Sequence, residues 1–242
     1  MGAPEEPASA APRSSHVLAF PFPRWGMRRA AAFALRQRMY TPEYWRSFLR
    51  YLGVRLRRPH VELGGMVHFG RRVELVAGPD AGRLQIAPWC WIGNGSALRS
   101  HEGNLRIGPK TVIGADTRIA CHLDIEIGAE CLVSDGVYVV DFDHRHDRVD
   151  LPIRSQGIRA TPVRIGHDVW VGRNAAILRG ADIGTGSVIA SHAVVKDVIP
   201  PFSVVAGVPG RVVRSRLPEG MTPEEAVELR RCGHPLPKGA RR

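Results

Sequence analysis

Residues 107–119 read Ile-Gly-Pro-Lys-Thr-Val-Ile-Gly-Ala-Asp-Thr-Arg-Ile, and they count in sixes. An aliphatic residue stands at Ile107, Ile113 and Ile119, glycine follows at Gly108 and Gly114, and threonine comes four places on at Thr111 and Thr117. The count extends in both directions. Ile86, Ile92 and Leu98 precede it; Ile127, Val133 and Val139 follow; after a break come Ile165, Val171, Ile177, Ile183, Ile189 and Val195, near the end at Ile199. Glycine recurs after the aliphatic at Gly93, Gly128, Gly166, Gly172 and Gly184, and Cys90, Ser96, Cys131, Ala175, Ala181, Ser187 and Ala193 keep the small position. A six-residue period suits neither an amphipathic helix nor an alternating strand. It suits short strands with one aliphatic residue pointing inward, where glycine is expected to permit the corner. One such coil cannot bury its own stripe, so coils must stack into parallel sheets. The reading is a mainly β solenoid.

The repeat divides the 242-residue chain. Residues 1–16, rich in Ala, Pro and Ser, read as a disordered tail. Residues 17–60 read as a basic helical segment. Thr41-Pro42-Glu43 marks a helix start, and Trp45, Phe48, Leu49, Leu52 and Leu56 follow at a spacing that places them on one face. Val61, Val67 and Val73 suggest an irregular first coil, with a polar insertion at Gly78–Arg83. The solenoid runs to residue 215, interrupted by a protruding loop at 141–164. Residues 216–242 form a short helix and tail, opened by the capping box Thr222-Pro223-Glu224-Glu225 and closed at Gly233.

Net charge is +11, and residues 17–60 carry ten arginines against one acid, Glu43. Such a block suits nucleic acid, an anionic membrane surface or phosphorylated ligands. The four cysteines form no C-x-x-C pair, so they read as reduced thiols rather than a disulfide or zinc framework. No apolar run reaches the length of a membrane span, and the first residues lack the apolar core of a secretory signal. A cytoplasmic protein is expected.

Three segments together carry a family resemblance: the loop Asp141-Phe142-Asp143-His144-Arg145-His146-Asp147, the coil Val163–Gly172 (V-R-I-G-H-D-V-W-V-G), and Ala206–Gly210 (A-G-V-P-G) leading into Arg211–Arg214. Over roughly residues 61–215 the chain resembles the hexapeptide-repeat acyltransferases, in particular the maltose, galactoside and polysaccharide O-acetyltransferase group. That resemblance implies a left-handed parallel β-helix of triangular section. It also implies a homotrimer, acetyl-CoA as acyl donor bound between neighbouring prisms, and a sugar or glycan acceptor, with no nucleic-acid partner. Membrane contact, if made, would be peripheral, through the arginine-rich N-terminal segment at the inner membrane surface.

The resemblance places the catalytic base at His144, in the loop before the Trp-containing coil. Histidine suits that role because its ordinary pKa lies near neutrality. His146 is the reserve candidate, and Asp141 or Asp143 the acid that would orient the imidazole. On the donor side, Trp170, Arg173, Ser191, Lys196, Arg211 and Arg214 fall at or near the family's CoA-contact places, and their cations suit the phosphates of CoA. Lys196-Asp197 replaces the family's usual Thr-Lys pair. Register adds a separate reading: His101 and His122 each stand three places after a ladder residue, as does Phe142, so the three should stack on one edge beneath His144. The resemblance places a polar acceptor-binding residue on the coil below the catalytic loop, a place that His122 or nearby Asp124 matches. Other readings are an N-acyltransferase acting on an amino sugar, a zinc-dependent carbonic anhydrase-like protein suggested by the histidine edge, and a non-catalytic trimeric scaffold. The spacing of histidine pairs used by the carbonic anhydrase branch is absent, and no metal ligands are assigned.

Overall fold

The computed structural model describes residues 41–78 and 82–231. The expected tail at 1–16, the basic stretch up to residue 40, the middle of the 78–83 insertion and the segment around Gly233 lie outside the described residues.

Three parallel sheets run the length of the molecule. Face A stacks Val61–Leu63, Arg83–Ile86, Asn104–Ile107, Asp124–Ile127, Val163–Ile165, Asp182–Ile183 and Val198–Ile199. Face B stacks His68–Phe69, Trp91–Ile92, Val112–Ile113, Leu132–Val133, Trp170–Val171, Val188–Ile189 and Ser203–Ala206. Face C stacks Glu74–Val76, Ala97–Ser100, Arg118–Cys121, Tyr138–Val140, Ala176–Ile177 and Val194–Val195. The chain visits A, B and C in turn, which makes a three-sided parallel solenoid.

The hexad residues are in register. Ile86, Ile107, Ile127, Ile165, Ile183 and Ile199 pair up face A. Ile92, Ile113, Val133, Val171, Ile189 and Val205 pair up face B. Leu98, Ile119, Val139, Ile177 and Val195 do so on face C. All of these side chains are buried, each stabilising the fold by about 1.5–3 kcal/mol through removal of apolar surface from water. Face A adds a second inward column, Val61, Leu84, Leu105, Ile125 and Val163, because its strands are longer.

Three expectations need correction. In the first coil the ladder positions belong to Leu63, Phe69 and Leu75, which pair with Ile86, Ile92 and Leu98. Two hexads are interleaved there, and Val67 holds the small-residue place four after Leu63. The glycine after each aliphatic is not the corner. A Cβ on Gly108 would stand 2.5 Å from the carbonyl carbon of Gly128, and one on Gly128 would stand 2.5 Å from the Gly166 oxygen. Glycine is needed there for close approach of successive coils. The chain turns two residues later, in left-handed conformations at Lys110, Glu130 and Asp168 on the A–B corner and at Asp116, Asn174 and His192 on the B–C corner. The first helix departs from expectation as well.

The small position has a polar function as well. Thr111 Oγ1 donates to the Gly128 carbonyl at 2.7 Å, Ser96 Oγ to Gly114 at 2.7 Å, and the thiols of Cys90 and Cys131 to Gly108 and Gly166 at 3.1 Å. Each buried donor meets a carbonyl of the next coil, as buried polar groups must. Burial pushes the Cys90 thiol up to about 12 and that of Cys131 to about 11, so neither is a ready nucleophile.

Helix α1 (Pro42–Arg57) covers the open lower end of the prism. Thr41 caps it, its side chain accepting from the Tyr44 N–H. Its inner face runs through Ser47 and Tyr51, both buried, with Phe48 and Leu52 packed against the core. Trp45, Leu49 and Leu56 point away, so the five apolar residues do not act as one packed face. At the upper end, Ala206–Gly210 turns the chain so that Arg211–Ser215 pairs antiparallel with Ser203–Ala206. Helix α2 (Pro223–Arg231) follows, and its capping box is reciprocal: Thr222 N–H donates to Glu225 and Glu225 N–H to Thr222 Oγ1.

Candidate active site

The corner between faces C and A differs from the other two. It absorbs the insertions between hexads, and from it the segment after Asp141 leaves the prism as an antiparallel arm. The arm pairs Phe142 with Ala160, Asp143 with Arg159 and His144 with Ile158. Asp141, at its root, is fully buried. Its carboxylate accepts the backbone N–H groups of His122, Leu123 and Asp124, all at 2.8 Å, together with the Cys121 thiol at 3.4 Å. Asp141 therefore locks the arm to the coil below it and has no bond to His144. The buried Cys121 thiol is held well above its usual range by burial and by that carboxylate.

The rings on this corner stack as register predicts. His101 lies over His122 with centroids 4.9 Å apart and 21° between planes; His122 meets the edge of Phe142 at 4.3 Å, and Phe142 meets His144 at 6.1 Å. His122 Nδ1 is buried with no hydrogen-bond partner, while His144 is exposed at the top of the row. Burial first, then the charges of His122 and Arg99, hold His101 below the ordinary histidine range. Stacked face to face, these imidazoles do not aim nitrogens at a common point. Among the described residues no three His, Cys, Asp or Glu side chains are grouped as metal ligands.

Asp143 and His144 are adjacent on a strand and so point to opposite sides of the arm. The Asp143 carboxylate is taken by Arg179, which also donates to Thr161 Oγ1 at 3.4 Å. Arg179, two residues past the ladder position Ile177, thus ties the arm to the coil above. The hexad pattern gave it no role; its place beside the corner glycine Gly180 was the available signal. His146 Nδ1 lies 3.1 Å from the His144 carbonyl oxygen, turned to the arm's own backbone. Asp124 meets the edge only through its backbone N–H, which donates to Asp141; its side chain is engaged elsewhere. It faces outward from face A and pairs with Arg106 at 2.9 Å and with Arg164, in a cluster that includes Glu126. Strand parity puts it there, on the same side as Arg106 and Glu126.

The donor-side residues fall in two groups. Lys196 is exposed directly above the Arg179 coil on the same corner, beside the Asp197–Arg211 pair at 2.7 Å. Trp170 projects from face B, its Nε1–H donating to Ser134 Oγ at 3.3 Å, and Arg214 sits opposite Val204 at the top of that face. Arg173 and Ser191 are exposed on successive coils of the B–C corner. Within one chain, His144 shares an edge with His122, Arg179, Lys196 and Arg211. It does not share one with Trp170, Arg173, Ser191 or Arg214.

Comparison with known proteins agrees with this architecture. The family described as "Bacterial transferase hexapeptide (six repeats)" matches residues 162–197. The chain belongs to the bacterial hexapeptide-repeat family. Among relatives of this hexapeptide-repeat protein, the probable acetyltransferase Rv3034c of Mycobacterium tuberculosis (strain ATCC 25618 / H37Rv) is 43% identical over 205 residues, covering 85% of this chain and 66% of that one. Galactoside O-acetyltransferase of Escherichia coli (strain K12) is 33% identical over 116 residues, covering 48% of this chain and 56% of that one. The chain therefore spans between about half and two thirds of the length of these relatives. A variant of AntD, an N-acyltransferase from Bacillus cereus solved in complex with dTDP and coenzyme A, superposes with a TM-score of 0.58 at 18% identity, over 74% of this chain and 93% of that one. At that identity the likeness is one of fold.

Proposed function

We propose that this protein is an acyltransferase that moves an acetyl group from acetyl-CoA to a hydroxyl of a sugar or glycan precursor, with His144 as the general base. The observation that carries the reading is the single irregular corner, with stacked imidazoles below the arm, an exposed histidine on it, and cations above it. The acetyltransferase names of the relatives support the reaction type, and the O-acetyltransferase among them supports a hydroxyl acceptor.

Bound acetyl-CoA supplies an activated acyl carbon in thioester linkage. The residues here fit such a donor, since Lys196, Arg211 and Arg173 offer exposed cations of the kind that hold a pyrophosphate and a 3′-phosphate. His144 takes the proton from the acceptor hydroxyl as its oxygen bonds to the acyl carbon, and returns that proton to the departing sulfur. His122 holds the acceptor from below. Arg179, through Asp143, fixes the arm and hence the reach of His144. Asp141 is bonded to the coil below and Asp143 to Arg179, so the imidazole takes its position from the arm rather than from a base–carboxylate pair.

Three chains would complete the site. Trp91, Val112, Leu132 and Trp170 form an exposed apolar column on face B, a surface suited to burial against another copy. In a trimer, Trp170, Arg173, Ser191 and Arg214 of one copy approach the His144 edge of the next. The reaction then belongs in the cytoplasm, where acetyl-CoA is available.

The test is CoA release from acetyl-CoA across a panel of sugars and amino sugars, for the native protein and His144→Ala. The variant should lose about 10²–10⁴-fold in kcat/KM with an unchanged melting temperature. Wild-type turnover in the variant would refute the assignment of the base, and acylation confined to amines would refute the hydroxyl acceptor.

A further inference from the structure

We infer that the outward face of helix α1 is a docking surface for an anionic lipid bilayer. One side of this helix is committed to the prism. Ser47 Oγ donates to the Phe69 carbonyl, Tyr44 packs on His68, and Tyr51 lies in the core. The apolar arc that begins with core-packed Phe48 and Leu52 continues past what the prism covers: Trp45 is 56% exposed, Leu49 64% and Leu56 80%. With Leu52 they stand at positions i, i+4, i+7 and i+11, one line along a helix, which the core covers only at Leu52. Arg46 and Arg57 run beside that line, and Arg55 and Arg58 are exposed at its end. Glu43 is the sole acid of α1, and it lies 3.8 Å from Arg46 and 3.7 Å from Arg50.

Covering the end of a solenoid requires one apolar face. An apolar arc wider than the prism covers, left with exposed Trp and Leu flanked by arginines, is the pattern of a helix lying in a membrane interface. The charge selects among occupants. The chain's own residues 17–40 carry Arg24, Arg28, Arg29, Arg36 and Arg38 and no acid, so they do not complement this face. A second copy would oppose arginine with arginine. A nucleic acid matches the arginines but leaves Trp45, Leu49 and Leu56 in water. An anionic bilayer matches both halves, its headgroups meeting the guanidinium groups and its acyl boundary taking the indole and leucines. Among the described residues no helix is long and apolar enough to cross a membrane. The inference does not depend on the acyl-transfer reading.

The experiment is flotation of the full-length protein with vesicles of phosphatidylcholine alone, or containing roughly one third phosphatidylglycerol. The native protein should float with the anionic vesicles only, and less at high salt. The triple substitution Trp45→Ser, Leu49→Ser, Leu56→Ser should lower its partitioning about tenfold or more. A second variant, Arg46→Glu with Arg57→Glu, should do the same while leaving the apolar stripe intact. All three residues of the stripe are exposed, so unchanged circular dichroism and melting confirm that folding is not the cause. Failure of the native protein to float overturns the inference, as does flotation of the triple variant at native levels. Absence of vesicle binding together with a drop in sedimentation mass of the triple variant assigns the face to a second copy, and salt-sensitive binding to RNA alone assigns it to nucleic acid.

Discussion

The A–B corner and the C–A corner are made from the same hexad, yet they have become different things. At A–B each rung closes tightly, with a left-handed residue at Lys110, Glu130 and Asp168 and glycine pressed on the coil above. Histidine occurs there too. His167 is occupied in structure, its Nδ1 accepting the Ala129 N–H at 2.9 Å. At C–A the rungs are of unequal length, and two stacked histidines lead through the edge-on ring of Phe142 to an exposed third. The A–B corner, which keeps its period, holds the fold. A corner freed from the period can carry chemistry.

Substitutions should separate the two. The largest effect is expected at the regular corner, where Gly128→Val drives a side chain into the Gly166 carbonyl and neither backbone can retreat. A loss of about 4 kcal/mol is expected, read as a fall in the denaturant midpoint or as insoluble protein. Next is Asp141→Ala, which orphans three backbone N–H groups and should cost about 3 kcal/mol. Because Asp141 anchors the arm, proteolysis within 145–157 should become faster in this variant. If Asp141→Ala melts like the native protein, the two corners are not distinguished as described.

Smaller effects should appear in activity without appearing in stability. Arg179→Ala frees Asp143 and loosens the arm, lowering kcat roughly tenfold to a hundredfold with little change in melting; Arg179→Lys should recover part of the loss. Equal losses in the lysine and alanine variants would point away from positioning by the ion pair. The smallest effect concerns His101. Its folded pKa lies below its ordinary value of 6.5, so the unfolded chain binds the proton first. Its contribution to stability is therefore fully present above that range and is lost as pH falls through it. His101→Gln should reduce the drop in melting temperature between about pH 7.5 and about pH 5. It should not abolish the drop, because burial also lowers His68.

The sequence made the ladder legible because every rung repeats one demand, an inward aliphatic residue at a fixed interval. Where two sets of residues met that demand, as Val61, Val67, Val73 and Leu63, Phe69, Leu75 do, the period could not choose between them. The register of the histidine edge was legible for the same reason as the ladder. The glycines were misread because their constraint is the coil above, sixteen or more residues away, while sequence reasoning favours the local explanation of a turn. Asp141, Asp143 and Asp124 look alike in a polar loop and its neighbours. Burial, an arginine from the next coil and strand parity respectively decide their roles, and none of these is a local property. The spacing of α1 gave the apolar face but not its extent of burial: the prism takes Phe48 and Leu52 and leaves Trp45, Leu49 and Leu56 exposed.

The two ends of the prism bear on how such a molecule stays finite. A parallel solenoid offers, at its last rung, a row of open backbone groups that would template a further rung from any identical chain. Here α1 lies across one end, and at the other the strand Arg211–Ser215 enters face B in the opposite sense, which breaks the parallel order. A chain whose coils are built to stack indefinitely is thus stopped from growing into a fibre by a helix below and one reversed strand above.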